Sequence, residues 1–236
     1  MTEARAPWPL TVASYNVHGG VGPDGRRSYE RIADVLQEID ADIVALQEVP
    51  LGDSRAGNML PVLADRTGMV SVEGPTITTE RRRFGNAVLC RHPVVAVRNL
   101  DLTFSSWEAR GALDADIECH GQRLRVVATH LGLLPGERRK QVKKLLSHFD
   151  TDAMPVMLLG DLNEWFIWGR PLRWLAARFQ KTPSPATFPS RWPIFALDRI
   201  WFHPRERLVR VDAHGTPLAQ AASDHLPIVA HIGAGA

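Results

Sequence analysis

Twice along this chain a short apolar run ends on a polar residue, passes through a helical stretch, and returns as a second apolar run ending on an acid. The first block is LTVASYN, then SYERIADVLQEI, then DIVALQEV. Ile32, Val35, Leu36 and Ile39 recur at helical spacing, with Ser28 placed as the N-cap, and the flanking runs have the pattern of buried strands. The second block is RLRVVATHL, GERRKQVKKLLSHF and PVMLLGDLN, with Val142, Leu145, Leu146 and Phe149 on one helical face. Each block fits a βαβ unit. No close sequence repeat accompanies the duplicated pattern.

Between the blocks, GNAVLCR, VVAVRNL and ALDADIEC read as short antiparallel strands, and ALDRIWF, RLVRVDA and LPIVAHI close the chain as further strands. One short helix is expected near RPLRWLAARF. Crossover helices mixed with hairpins imply a layered α/β or α+β architecture. Nothing resembles a linker, so residues 1–236 are expected to form one domain. Hydrophobic content of 44% and charged content of 23% are ordinary for a soluble protein, and a net charge of +2 does not by itself argue for nucleic acid. Cys90 and Cys119 lack metal or redox spacing and read as buried free thiols. The start, MTEARAPWPL, does not read as a secretion signal, and no apolar run reaches the roughly eighteen residues of a membrane span, so a cytoplasmic monomer is expected.

The chemistry is written where polar residues interrupt apolar runs. Asn16, Glu48, His130, Asp161 and Asn163 each follow a strand-like segment, and Asp224-His225 precedes the last strand. Strand ends are where open α/β sheets present ligand-binding side chains. Glu48 and Asp224 are hard oxygen donors suited to Mg²⁺, and Asn16 can support a metal ligand without adding charge. His130 and His225 can donate to phosphate oxygens, a neighbouring carboxylate favouring the charged ring, and Asp198 in LDRI is the candidate for that carboxylate. Without a zinc-type His or Cys pattern, Mg²⁺, with Mn²⁺ as the alternative, is favoured. Taken singly, each of these residues has a plainer reading as a cap, a turn or a satisfied structural histidine.

In order along the chain, SYNVHGG, LQEV, GNAVL, THL, GDLN, LDRIW and SDHLP resemble the endonuclease/exonuclease/phosphatase superfamily, the deoxyribonuclease I-like proteins, in its bacterial-type branch. The resemblance spans almost the whole chain and implies a four-layer αββα sandwich, with two mixed sheets flanked by helices and the site at one rim. It implies that Glu48 binds the metal with Asn16 supporting it and Asp224 as a metal or metal-water partner. Asp161 would orient and deprotonate the attacking water, and Asn163 would steady the pentacovalent phosphate. His225, held by Asp198, would bind a phosphoryl oxygen, with His130 as second imidazole. Arg110 in ARGAL matches the family's arginine near the phosphate, and Asn86 in GNAVL is a supporting position. The implied reaction is metal-assisted in-line attack of water on phosphorus.

Departures from the family narrow the substrate. MLLGDLN and FALDRIW lack the inositol phosphatase elements, and LQEVP departs from the apurinic-site endonuclease pattern. A phosphodiesterase with DNA or RNA as substrate leads, and a phospholipid or sphingolipid headgroup phosphodiesterase at a membrane surface is the alternative. A non-catalytic binding protein on the same fold is a third reading. The stretch from Glu164 to Phe195 is the expected source of substrate choice. Its Trp165, Phe166, Trp168, Trp174, Trp192 and Phe195, with Arg170, Arg173 and Arg191, suit core packing, base stacking or a membrane interface. His18 is read as shaping its glycine turn, and Arg138, Arg139, Lys140, Lys143 and Lys144 as a solvated basic face.

Overall fold

The computed structural model describes residues 9–53, 56–104, 108–148, 151 and 153–233. Its first half contains β1 (Leu10–Asn16), α1 (Tyr29–Ile39), β2 (Ile43–Asp53), β3 (Gly57–Asn58), α2 (Leu60–Thr67), β4 (Val70–Thr78), β5 (Arg83–Cys90) and β6 (Val94–Asp101). There follow β7 (Gly111–Cys119), β8 (Gln122–His130), α3 (Pro135–Leu146), β9 (Val156–Asp161) and α4 (Arg170–Phe179). The chain closes with β10 (Asp198–His203), β11 (Leu208–Ala213), α5 (Pro217–Ala222) and β12 (Ile228–Ile232). The expected short helix is α4, and the expected closing strands are β10 to β12.

Period-two alternation sorts the apolar side chains into three layers. Val12, Ile43, Val88, Ala115, Val126, Leu159 and Ile200 face inward and pack sheet against sheet. Their alternating neighbours Ala13, Val44 and Leu89 face outward and meet Ile32, Val35 and Leu36 of α1, Leu63 of α2 and Ala219 of α5. On the far side, Val127, Leu158 and Trp201 meet Val142 and Leu145 of α3 and Leu175 and Phe179 of α4. The result is the αββα sandwich that the resemblance implies. Every fully buried Leu or Ile contributes about 1.5–3 kcal/mol to holding the layers together. The Ser28 hydroxyl caps α1 by accepting from the Arg31 amide at 3.2 Å, and Cys90 and Cys119 are buried free thiols.

One sheet runs β11-β12-β1-β2-β5-β4 with β3 beside β2, and the other runs β10-β9-β8-β7-β6. The two βαβ blocks supply parallel pairs near the middle of each sheet, β1 with β2 and β8 with β9; their neighbours are antiparallel. Both blocks therefore deliver their carboxyl ends to one rim. Register tightens the convergence, since Asn16 lies opposite Gln47, His130 opposite Asp161, and Asp161 opposite Asp198. Gly160, one residue before Asp161, has φ 146°, and a Cβ there would overlap the Thr129 carbonyl oxygen on β8. Only glycine allows β8 and β9 to approach so closely at the rim.

The basic face of α3 requires a correction. Arg138 is 1% exposed, because its guanidinium pairs with Glu164 (Nε–Oε2 3.2 Å) and donates to the Gly132 and Leu133 carbonyls. Arg139, Lys140 and Lys143 do face solvent. Lys140 and Lys144 lie over the Phe104 ring and Lys143 over Trp174. Phe149 falls outside the described residues.

Where helices do not cover the second sheet, charge replaces apolar contact. Arg98 of β6 bridges Asp114 and Asp116 of β7, and Arg125 of β8 joins Asp114 from the other side. Burial opposes ionisation of Asp114, but the two guanidiniums outweigh it and hold the carboxyl below its ordinary value. A lowered folded-state pKa gives stability that is fully present above the unfolded value, about 3.9, and lost as pH falls through the folded value. Asp114→Asn should therefore cost about 1–3 kcal/mol at pH 7, less than a fully buried pair because Arg98 is half exposed. Urea denaturation of both proteins at pH 7 and pH 3 checks this, the gap closing at the lower pH.

Candidate active site

Glu48 sits in a bulge. Leu46 pairs with Ala87 and Val49 with Gly85, so Gln47 and Glu48 together oppose Asn86, and Glu48 takes φ 58°. A positive φ in a non-glycine residue within a strand is strained, and such strain gathers at functional sites where surrounding contacts hold it. Asn163 (φ 50°) and His18 (φ 47°) share this conformation at the same rim.

One amide ties the two halves of the sandwich together. Asn16 Nδ2 donates to Glu48 Oε1 and to Asp161 Oδ2, each at 3.0 Å. The Asn16 Oδ1 atom accepts from the His18 amide at 3.1 Å, and its carbonyl accepts from Ser223 Oγ at 2.7 Å. Asp161 is 1% exposed; its Oδ1 accepts from the Asn163 amide at 2.8 Å. Both imidazoles approach its Oδ2, His130 Nε2 at 3.4 Å and His225 Nε2 at 3.7 Å. Residues from β1, β2, β8, β9 and the loop before β12 thus surround a single carboxylate.

The two histidines are in opposite electrostatic situations. Burial opposes charge on His225, but Asp198 and Asp161 outweigh it and raise its pKa to about 10. Asp198 Oδ2 receives His225 Nδ1 at 2.9 Å and Thr187 Oγ1 at 2.6 Å. His130 goes the other way. Burial, helped by Arg110 against the opposing pull of Asp161, lowers its pKa to about 3. Arg110 Nη1 lies 2.9 Å from His130 Nδ1 and can only donate, so Nδ1 must accept and the ring proton sits on Nε2, towards Asp161. Asn163 Nδ2 lies 2.9 Å from the same Nε2 and 2.9 Å from the Leu131 carbonyl. Because Nε2 carries the ring proton, the Leu131 carbonyl takes the amide hydrogen bond. At His130 the pull of a neighbouring carboxylate towards the charged ring is therefore outweighed, by burial and by the cation that meets its other flank.

Asn86 donates to the Gly111 carbonyl at 3.0 Å, tying β5 to the start of β7, and Arg110 Nη2 pairs with Glu108 at 2.7 Å. All ten sequence-predicted residues gather at this rim, Asn86 and Arg110 as props behind His130. Sequence reasoning did not find Thr187, Ser223, Glu108 or Phe188. The ring of Phe188 lies 4.8 Å from His225 and 5.8 Å from Trp165, which meets Phe195 at 4.8 Å. Ser223 falls inside SDHLP, one of the segments that carry the resemblance, and Thr187 and Phe188 lie in the aromatic-rich segment, whereas Glu108 gave no signal of its own.

Two groups of acids could attract a cation. Ligand atoms of Asp161, Asp198 and His225 lie within 4.8 Å of one another. This cluster is already a hydrogen-bonded chain, and a protonated His225 has no lone pair to offer. Glu48 and Asp224 are the more open pair. Burial raises the Glu48 pKa, the Asn16 bond and His18 oppose the rise, and Asp161 and Asp224 add to it. Three carboxylates pressed together in this way fit a hard divalent cation, which would relieve their repulsion. His18 Nδ1 lies 3.6 Å from Asp224 Oδ1.

Residues 13–225 match the Endonuclease/Exonuclease/phosphatase family. The uncharacterized protein YbhP of Escherichia coli (strain K12) is 29% identical over 259 residues, covering 98% of this chain and 99% of its own. An endonuclease/exonuclease/phosphatase from Beutenbergia cavernae superposes with a TM-score of 0.75 at 23% identity, over 96% of this chain and 72% of the other. A mannosyl-6-phosphatase from Bacteroides thetaiotaomicron superposes with a TM-score of 0.73 at 19% identity, over 94% and 98%. These two structures share the fold. With nearly the whole sequence matched and the fold shared, the chain belongs to the endonuclease/exonuclease/phosphatase family.

Proposed function

We propose that this protein is a Mg²⁺-dependent phosphodiesterase that hydrolyses nucleic acid by in-line attack of water. The observation that carries the reading is the Asn16 amide bonded to both Glu48 and Asp161, with both imidazoles facing Asp161. Family membership supports phosphoester hydrolysis in general; the metal and the diester specificity are the finer parts of the proposal. Glu48, supported by Asn16 and joined by Asp224, would hold the cation, which when bound neutralises charge developing on the phosphate. Asp161 holds a water in line and takes its proton. His225, charged and braced by Asp198, binds a phosphoryl oxygen. Asn163 adds a neutral donor, and His130, neutral, keeps Asp161 oriented.

Nucleic acid is favoured by the aromatic and basic rim. Trp168 and Trp192 are 69% and 80% exposed, Arg170 and Arg191 are exposed beside them, and Trp165 links this surface through Phe188 to His225. Stacking is worth about 1–3 kcal/mol per base, so Trp168→Ala should raise KM for single-stranded DNA about tenfold and leave kcat unchanged. The same exposure, with Phe166, Ile167 and Ile194 also open, supports the second reading, a lipid headgroup phosphodiesterase at a membrane surface.

Plasmid, single-stranded RNA, sphingomyelin and cardiolipin, each with Mg²⁺ and with EDTA, test the proposal. Nucleic acid cleavage that EDTA abolishes is expected. Lipid turnover together with Trp168-dependent liposome flotation would move the assignment to the second reading, and inactivity on every substrate despite normal metal binding would point to a binding protein. Asn16→Ala should weaken Mg²⁺ affinity about 10–100-fold by freeing Glu48, as removal of a ligand's supporting partner does. Isothermal titration calorimetry reads that loss directly.

A further inference from the structure

A cavity of about 320 Å³ lies outside the site above, beside α4 and the segment that follows it. Arg199, one residue beyond Asp198 on β10, lines it and is 5% exposed. Its Nε and Nη2 atoms are buried without a hydrogen-bond partner, as is the Oγ1 of Thr182 on the same wall. Asp198 and Glu164 favour the charge on Arg199 only from a distance; burial, the larger influence, pulls its pKa down to about 10, which leaves it cationic at neutral pH. A buried guanidinium with free N–H groups is costly unless an anion meets it. Arg173 and Lys181, both exposed, bring two more cations to the cavity, and Trp201 and Ala176 supply apolar surface.

We propose that this cavity binds a small organic phosphate, its phosphoryl oxygens meeting Arg199, Thr182, Arg173 and Lys181 and its apolar body resting against Trp201 and Ala176. Three cations in one cavity suit a dianion better than a carboxylate, and the bidentate geometry of arginine matches phosphate oxygens. The volume lies at the lower end of small-molecule pockets, about 300–1,000 Å³. The site is separate from the hydrolytic centre and does not depend on the activity proposed for it.

Phenylphosphonate, which has no ester bond to hydrolyse, is the probe. Calorimetric titration of the whole protein in EDTA should show saturable one-to-one binding, stronger than that of inorganic phosphate or benzoate. Lys181→Glu and Ala176→Trp, both at partly or fully exposed positions, should each weaken binding at least tenfold, as should the neutral Arg199→Met if it folds. His225→Ala should leave it unchanged. No binding by the intact protein would overturn the proposal. So would binding that survives Lys181→Glu and Ala176→Trp but disappears in His225→Ala, since the anion would then occupy the hydrolytic centre. Equal affinity for inorganic phosphate would overturn the organic part of the assignment.

Discussion

Asp161→Asn should lower the rate of diester hydrolysis about 10²–10⁴-fold, the range expected when a positioned general base is lost. In the native site its Oδ2 accepts from Asn16 and its Oδ1 from the Asn163 amide. An asparagine has one acceptor oxygen, so one of those donors would meet an N–H group instead. The substitution therefore removes the base and disturbs Asn16, the residue that also holds Glu48. Steady-state kinetics on a chromogenic diester at saturating Mg²⁺ should show the loss in kcat with KM changed little. A thermal melt would separate it from unfolding. Retention of most of the activity would exclude Asp161 as the base.

Glu164→Ala should cost about 3–5 kcal/mol of stability, since it strands a buried cation. Arg138 is 1% exposed, and Glu164 is its only carboxylate partner among the described residues. The pair lies behind the site. Glu164 follows Asn163, while Arg138 holds the Gly132 and Leu133 carbonyls just after His130. Urea denaturation should show the lowered midpoint. Arg138→Met combined with Glu164→Leu should recover much of the loss, because removing both charges leaves none unpaired. If the single variant is as stable as the parent, the pair contributes nothing.

The two βαβ blocks could be read in the sequence because a strand buried on both faces and an amphipathic helix have distinct periodicities. The same holds for Asn16, Glu48, His130, Asp161 and Asn163, each a polar residue where an apolar run stops. Other features lacked such a signal. In β4, Gly74 and Pro75 interrupt the alternation, and the strand is assembled by pairing with β5. α2 and α5 are 8 and 6 residues long, too short to show a helical stripe. Arg138 stands in a run of bases, and only the fold brings Glu164 to it. The neutral state of His130 was equally hidden, because it depends on Arg110 lying across the ring, whereas the Asp198 carboxylate beside His225 is a pairing that the sequence reading names. Thr187 reaches Asp198 from a segment that reads as irregular loop.

Anomalous diffraction from crystals soaked in Mn²⁺ locates a bound cation without reference to any substrate. A peak against the Glu48 carboxylate, on the side shared with Asp224, is the predicted result. A peak between Asp198 and His225, with none at Glu48, would contradict the proposed centre.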